Sequence, residues 1–104
     1  MHPAKVRRDK IEHFTDLPNI GPAMARDFAL LGYRHPAELA GVDAWLLYQS
    51  LCVATGQRHD PCVLDTFLSV ADFLNGGEAA PWWHFTAQRK RDYGQRLSAS
   101  LASV

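Results

Sequence analysis

The stretch from 17 to 32, LPNIGPAMARDFALLG, constrains the fold of this 104-residue chain more than any other. Asn19 and Gly21 tolerate left-handed or otherwise unusual backbone angles, Ile20 between them can face a core, and Pro22 suits the first turn of a helix. Such a turn aims several backbone N–H groups and a helix N-terminus at one spot, an arrangement that attracts anions. The same residues also suit a tight turn between two packed helices that holds no ligand. After Pro22, the apolar residues Ala25, Phe28, Ala29 and Leu31 follow helical spacing with Arg26 and Asp27 opposite, and Gly32 stands where a helix ends on positive φ.

The rest of the chain reads as helices, and no strand pattern competes. Residues 4–14 are expected to form a charged first helix with a thin stripe of Val6, Ile11 and Phe14, ended by Thr15 and Asp16. Pro36, Glu38 and Gly41 frame a very short helix or a loop element. Asp43 is placed to cap a helix from 44 to about 55, with Leu47, Tyr48, Leu51 and Cys52 on one face and Gly56 as its stop. Asp60-Pro61 opens a further helix with a broad apolar face of Cys62, Val63, Phe67, Val70, Ala71 and Leu74. It ends at Asn75-Gly76-Gly77 and is expected at the centre of the core. Pro81-Trp82-Trp83-His84-Phe85 opens another helix that runs into Arg89-Lys90-Arg91 and weakens at Gly94. Leu97, Leu101 and Val104 keep helical spacing in a tail expected to fray. The expectation is an all-α fold: a single helical domain of roughly five helices over residues 1–96, with 97–104 as a C-terminal tail.

With 47% hydrophobic residues the chain can build one core, and a second domain is not required. The N-terminus leads into charges, no apolar run reaches membrane-spanning length, and two cysteines are too few for a disulfide framework. A soluble cytoplasmic protein with reduced thiols and no membrane association is expected. The formal net charge is zero, but it is unevenly placed: residues 1–35 sum to +2, 36–85 to −5 and 86–104 to +3. A basic face would exist if the two ends met in space.

Phosphate binding is the chemistry these residues suit best. The backbone amides of Ile20, Gly21, Ala23 and Met24 supply donors beside Asn19. Arg26 one turn on, with Lys5 and Arg8 from the basic N-terminal run, supplies charge. Contacts of this type position a nucleic acid without reading its sequence. The expected partner is the DNA phosphate backbone, most naturally of a duplex, with a salt slope set by a few phosphates. A Cβ at Gly21 is expected to disturb both the turn and the approach of a phosphate. Trp82, Trp83 and Phe85, followed by Arg89, Lys90 and Arg91, could stack on bases; the competing expectation is that at least two of these rings close the core.

The run LPNIGPAMARDFALLGYRHPAELAGVDAWLLYQSLC resembles the helix-hairpin-helix pattern, with Asn19 where that pattern has its first glycine. The continuation RHDPCVLDTFLSVADF and then PWWHFTAQRK is similar to the small bacterial pathogenicity-locus family, also labelled mitomycin-resistance-like. The first half also resembles the C-terminal domain of competence regulators. These resemblances imply an all-helical domain and DNA association, in repair or uptake, and imply no settled activity.

Other chemistry is less well supplied. Cys52, His59 and Cys62, with Asp60 and a distant His84, have one pair at zinc-compatible spacing, whereas a structural zinc site needs four ligands; no metal or cofactor is expected. Asp43 lies downstream of the turn as a base-excision aspartate would, yet the chain is short for a cleft that holds a flipped base. No nucleophile triad, P-loop or HExxH run is present. The expectation is a non-enzymatic, sequence-independent DNA-binding protein. A protein-interaction module without direct DNA contact is the alternative, favoured if Tyr33, Trp45 or Trp82 form an exposed apolar patch and Arg26 and Lys5 do not share a face with the turn.

Overall fold

The structure is a computed structural model that describes the backbone of residues 1–102 and the side chains of residues 1–99. Among the described residues there are four α-helices and no strand: α1 (Pro22–Leu30), α2 (Ala44–Thr55), α3 (Pro61–Leu74) and α4 (Thr86–Ala102). Short 3-10 turns at Pro3–Lys5, Arg8–Lys10, Phe14–Asp16, Pro36–Leu39 and Trp82–Phe85 join them.

Asp60 and Pro61 start the central helix as their residue types dictate. The Asp60 carboxylate accepts the Cys62 amide at 2.9 Å, and Pro61 occupies a first-turn position where a missing N–H costs nothing. Leu64, Phe67, Leu68, Val70 and Phe73 of α3 are buried, and so are Asp65, Thr66 and Ser69 between them. A helix buried on nearly all sides needs neighbours on all sides. α2 and α4 supply two of them, and the Trp82–Phe85 turn supplies a third. α2 contributes Ala44, Leu47, Tyr48 and Leu51 to the core and ends on Gly56 at φ 65°. Phe28 of α1 lies between Phe14 and Phe67, with ring centroids 5.2 and 5.5 Å away, which ties the turn region to α3.

One buried ion pair fixes α4. Asp65 is fully buried and takes Arg89 Nε at 2.9 Å and the Thr86 hydroxyl at 2.8 Å. Thr86 and Arg89 stand three residues apart on α4 and so share a face. Both Asp65 oxygens are thereby satisfied, the condition under which a buried charge is tolerated.

Four expectations from the sequence need correction. Residues 4–14 do not form an α-helix: Arg7 and Ile11 are extended and separate two single 3-10 turns from the third at Phe14–Asp16. Along this broken path Val6, Ile11 and Phe14 each pack against the core. Asp43 stands at the N-cap of α2, but its side chain makes no capping bond. The last helix begins at Thr86, after the Trp82–Phe85 turn, and continues through Gly94 and residue 97 to Ala102. A mid-helix glycine costs about 1 kcal/mol, which packing of the buried Leu97 and half-buried Tyr93 offsets. Of the aromatic trio only Phe85 packs against the core; Trp82 and Trp83 stay exposed. Residues 103 and 104 and the side chain of Leu101 lie outside what is described, and the expectation of fraying falls partly on them.

If the Asp65–Arg89 pair holds α4 against α3, Asp65→Ala should destabilise the protein by roughly 3–5 kcal/mol, because it leaves a guanidinium without its partner. Urea denaturation would measure this. A double Asp65→Leu, Arg89→Leu change should recover much of the loss.

Candidate nucleic-acid interface

The turn between residues 17 and 22 is pinned from within. Leu17 and Ile20 are buried, and Asn19 between them is the sole non-glycine residue at positive φ among the described residues, at 66°. Asparagine tolerates this region better than other side chains that bear a Cβ. Its amide nitrogen donates to Ser69 Oγ of α3 at 2.9 Å and to the Ala80 carbonyl at 2.8 Å. Since a carbonyl can only accept, the NH2 end must face Ala80, and both its hydrogens are used. Ser69 in turn donates to the Thr66 carbonyl at 2.6 Å. Asn19 therefore turns its amide to α3 and the Ala80 carbonyl and positions the turn, while it also lines the groove beside Gly21.

Gly21 itself departs from expectation. It is extended at φ −98°, and a Cβ added there would meet nothing within 4 Å. The turn does not need a glycine at this position, so only the expected effect on an approaching ligand remains. The four expected amide donors also divide. Ile20 N–H is directed to the Leu17 carbonyl at 3.3 Å, whereas Gly21, Ala23 and Met24 have no acceptor among the described residues. Gly21 is the N-cap residue of α1, so these three amides stand at the positive end of the helix dipole. The Met1 amino group donates to the Leu17 and Ile20 carbonyls at 2.9 and 2.7 Å, closing the other side of the turn.

A groove of about 700 Å³ opens at this spot. It is lined by Thr15, Asn19, Ile20, Gly21 and Pro22, by Pro81, Trp82 and Trp83, and by Met1, His2 and Pro3. Among the described residues no acidic side chain lines it, and no Lys or Arg does. Trp82 and Trp83 are 36% and 59% exposed, with centroids 5.7 Å apart and ring planes at 85°. The hydrogen bond from Asn19 to Ala80 joins the two sides of the groove. The aromatic side was expected mainly in the core; its sequence signal was the uninterrupted Pro81-Trp82-Trp83 run beside a turn, where a second indole has little room to bury.

Few of the basic residues gather here. Lys5, exposed at the end of the Pro3–Lys5 turn, lines an adjoining groove with Arg7 and Lys10, where Asp9, Glu12 and Asp16 balance them. Arg26 is exposed on α1, without an ion pair among the described residues. Arg8 is placed elsewhere: it donates to the Phe73 carbonyl at 2.6 Å and the Gly77 carbonyl at 2.5 Å, and lies 4.0 Å from the Phe73 ring. There it caps the C-terminal end of α3, where a cation is favoured. Arg89 serves Asp65, Arg91 pairs with Asp92, and Arg96 lies over Trp45 and Tyr93. The basic ends are thus largely engaged within the chain.

Cys52, His59 and Cys62 are not brought together; among the described residues no group of three His, Cys, Asp or Glu side chains could hold a metal. His59 Nε2 lies 2.8 Å from the Thr55 hydroxyl, and Asp60 caps α3. Burial, with the Asp60 carboxylate next in effect, pushes the Cys62 thiol up to about 11, which disfavours the thiolate a metal requires. Both cysteines are free. No described helix is long and apolar enough to cross a membrane.

Asn19 should therefore be worth more to stability than a surface turn residue. Asn19→Ala should cost about 2–3 kcal/mol, from two lost hydrogen bonds and a Cβ residue at positive φ without side-chain support. Asn19→Gly should cost about 1–2 kcal/mol, because glycine relieves the φ term alone. Urea midpoints of the two variants would decide; equal losses would contradict the left-handed assignment.

The family model for Cdd1, described as a pathogenicity locus, matches residues 7–91. The chain is also 46% identical over 77 residues to a mitomycin resistance protein, McrB, of Streptomyces lavendulae, covering 74% of this chain and 73% of that protein. No solved structure matches it. With the match extending from before the turn through α1, α2 and α3 and into α4, the chain belongs to the pathogenicity-locus family.

Proposed function

We propose that this protein binds DNA without regard to sequence, using the turn before α1 as the hairpin of a helix-hairpin-helix element, and that it does so in the cytoplasm without catalysing a reaction. The observation that carries the reading is the set of three amides, Gly21, Ala23 and Met24, that have no acceptor among the described residues at the N-terminus of α1, where Gly21 and Pro22 line an exposed groove with no carboxylate among its described lining residues. A phosphate there would meet donors and a favourable dipole without displacing any internal hydrogen bond. Arg26, exposed one turn further along α1, adds a charge unpaired among the described residues, and Lys5 lines the adjoining groove. Arg8, held at α3, adds structure instead.

The exposed Trp82 and Trp83 beside the turn also support a second reading, a surface that docks another protein, since adjacent exposed indoles are enriched in interfaces. The two readings separate on the behaviour of Gly21. An Asp at this N-cap position would accept the Ala23 and Met24 amides itself, leaving the helix as stable or more so. It would also set a carboxylate where the phosphate must sit. Gly21→Asp should thus weaken binding of a labelled DNA, followed by fluorescence anisotropy at low salt, about tenfold or more while the urea midpoint stays or rises. Lack of DNA binding by the wild-type protein at low salt, or binding indifferent to this change, would favour the docking surface.

A further inference from the structure

From the groove between the turn and the Trp82–Phe85 segment, we infer that the DNA this site takes is unpaired: one phosphate rests on the Gly21, Ala23 and Met24 amides and an adjacent base stacks on Trp83. The inference rests on the proposed function and specifies its ligand. Three observations carry it.

The first is the exposure of the rings. Trp83 is 59% exposed although it meets Trp82 and His84 at steep ring angles, with centroids 5.7 and 6.5 Å away. An indole face beside a phosphate site gains nothing from a duplex, whose bases are already stacked on each other. It gains a stacking partner from a single strand.

The second is charge. Duplex DNA carries a phosphate charge about every 1.7 Å of axis, and proteins that hold it align many cations. The groove has no Lys or Arg in its lining, and Arg8, Arg89, Arg91 and Arg96 are engaged elsewhere in the chain. Three amides and the exposed Arg26 on the same helix match the sparser charge of one strand. The absence of carboxylates from the lining leaves that strand unopposed.

The third is rigidity. Phe85 anchors the aromatic turn in the core, and Asn19 ties the phosphate side to the Ala80 carbonyl immediately before Pro81. The separation between the amides and the indoles is set before any ligand arrives, which lowers the ordering cost of binding.

The test compares a labelled oligothymidylate, which forms no pairs, with a duplex of equal length, by anisotropy at low salt, for wild type, Trp83→Ala and Gly21→Asp. Wild type should bind the single strand more tightly than the duplex, with quenching of intrinsic tryptophan fluorescence. Trp83→Ala, at an exposed position, should lose about tenfold on the single strand and stay within about twofold on the duplex. Gly21→Asp should weaken both. Equal or tighter binding of the duplex, or a Trp83→Ala effect that is absent or the same on both ligands, would overturn the inference while leaving the proposed function standing. Binding of neither ligand by wild type would overturn both.

Discussion

The side chain of Asn19 holds the candidate site together. Its left-handed backbone lets Leu17 and Ile20 both turn inward, which directs the chain into α1 with three amides uncovered. Its two hydrogen bonds then reach α3 through Ser69 and the approach to the aromatic turn through Ala80. A glycine would satisfy the backbone but leave the two sides of the groove unconnected. Asn19 is therefore the residue that couples the turn before α1 to the segment carrying Trp82 and Trp83.

Electrostatics in this chain serve architecture before they serve a partner. The fully buried Asp65 is answered by Arg89 and Thr86 from α4, and the C-terminal end of α3 is answered by Arg8. Gly77 belongs to the same corner: a Cβ there would fall 2.9 Å from the Asp72 carbonyl oxygen and closer still to its carboxylate, so the chain can pass α3 only as glycine. Of the basic ends seen in the sequence, Arg8 and Arg89 are committed to these acceptors, while Lys5, Arg7, Lys10, Lys90, Arg91 and Arg96 stay exposed. What remains at the turn is a mildly electropositive site built from amides, next to an apolar aromatic surface.

Much of the fold was legible because the signals were local. Asp60-Pro61 and Gly56 mark helix boundaries by their own backbone chemistry, and Leu47, Tyr48 and Leu51 are buried as their spacing on α2 predicts. The misreadings arose where a distant partner decides the outcome. The N-terminal segment has helix-compatible residues, but its three apolar anchors and Arg8 are each fixed by contacts with the rest of the fold, and these override propensity. Asp65 gave a usable hint, an acid flanked on α3 by core residues, though Arg89 and Thr86 lie more than twenty positions away in sequence. The site was legible in half: turn chemistry located the amides, while their meeting with Trp82 and Trp83 depends on a long-range bond from Asn19 to residue 80 that no local pattern encodes.

The account turns on the amides at the start of α1 and the indoles that share a groove with Gly21 acting as one surface. A titration of uniformly ¹⁵N-labelled protein with oligothymidylate, followed residue by residue by amide and indole NMR shifts, tests this directly. The account predicts saturable shifts at Gly21, Ala23 and Met24 together with the Trp83 indole, and little change at Trp45, Tyr93 and Arg96. Shifts confined to the basic N-terminal run or to α4, with Gly21 and Trp83 unmoved, would contradict it.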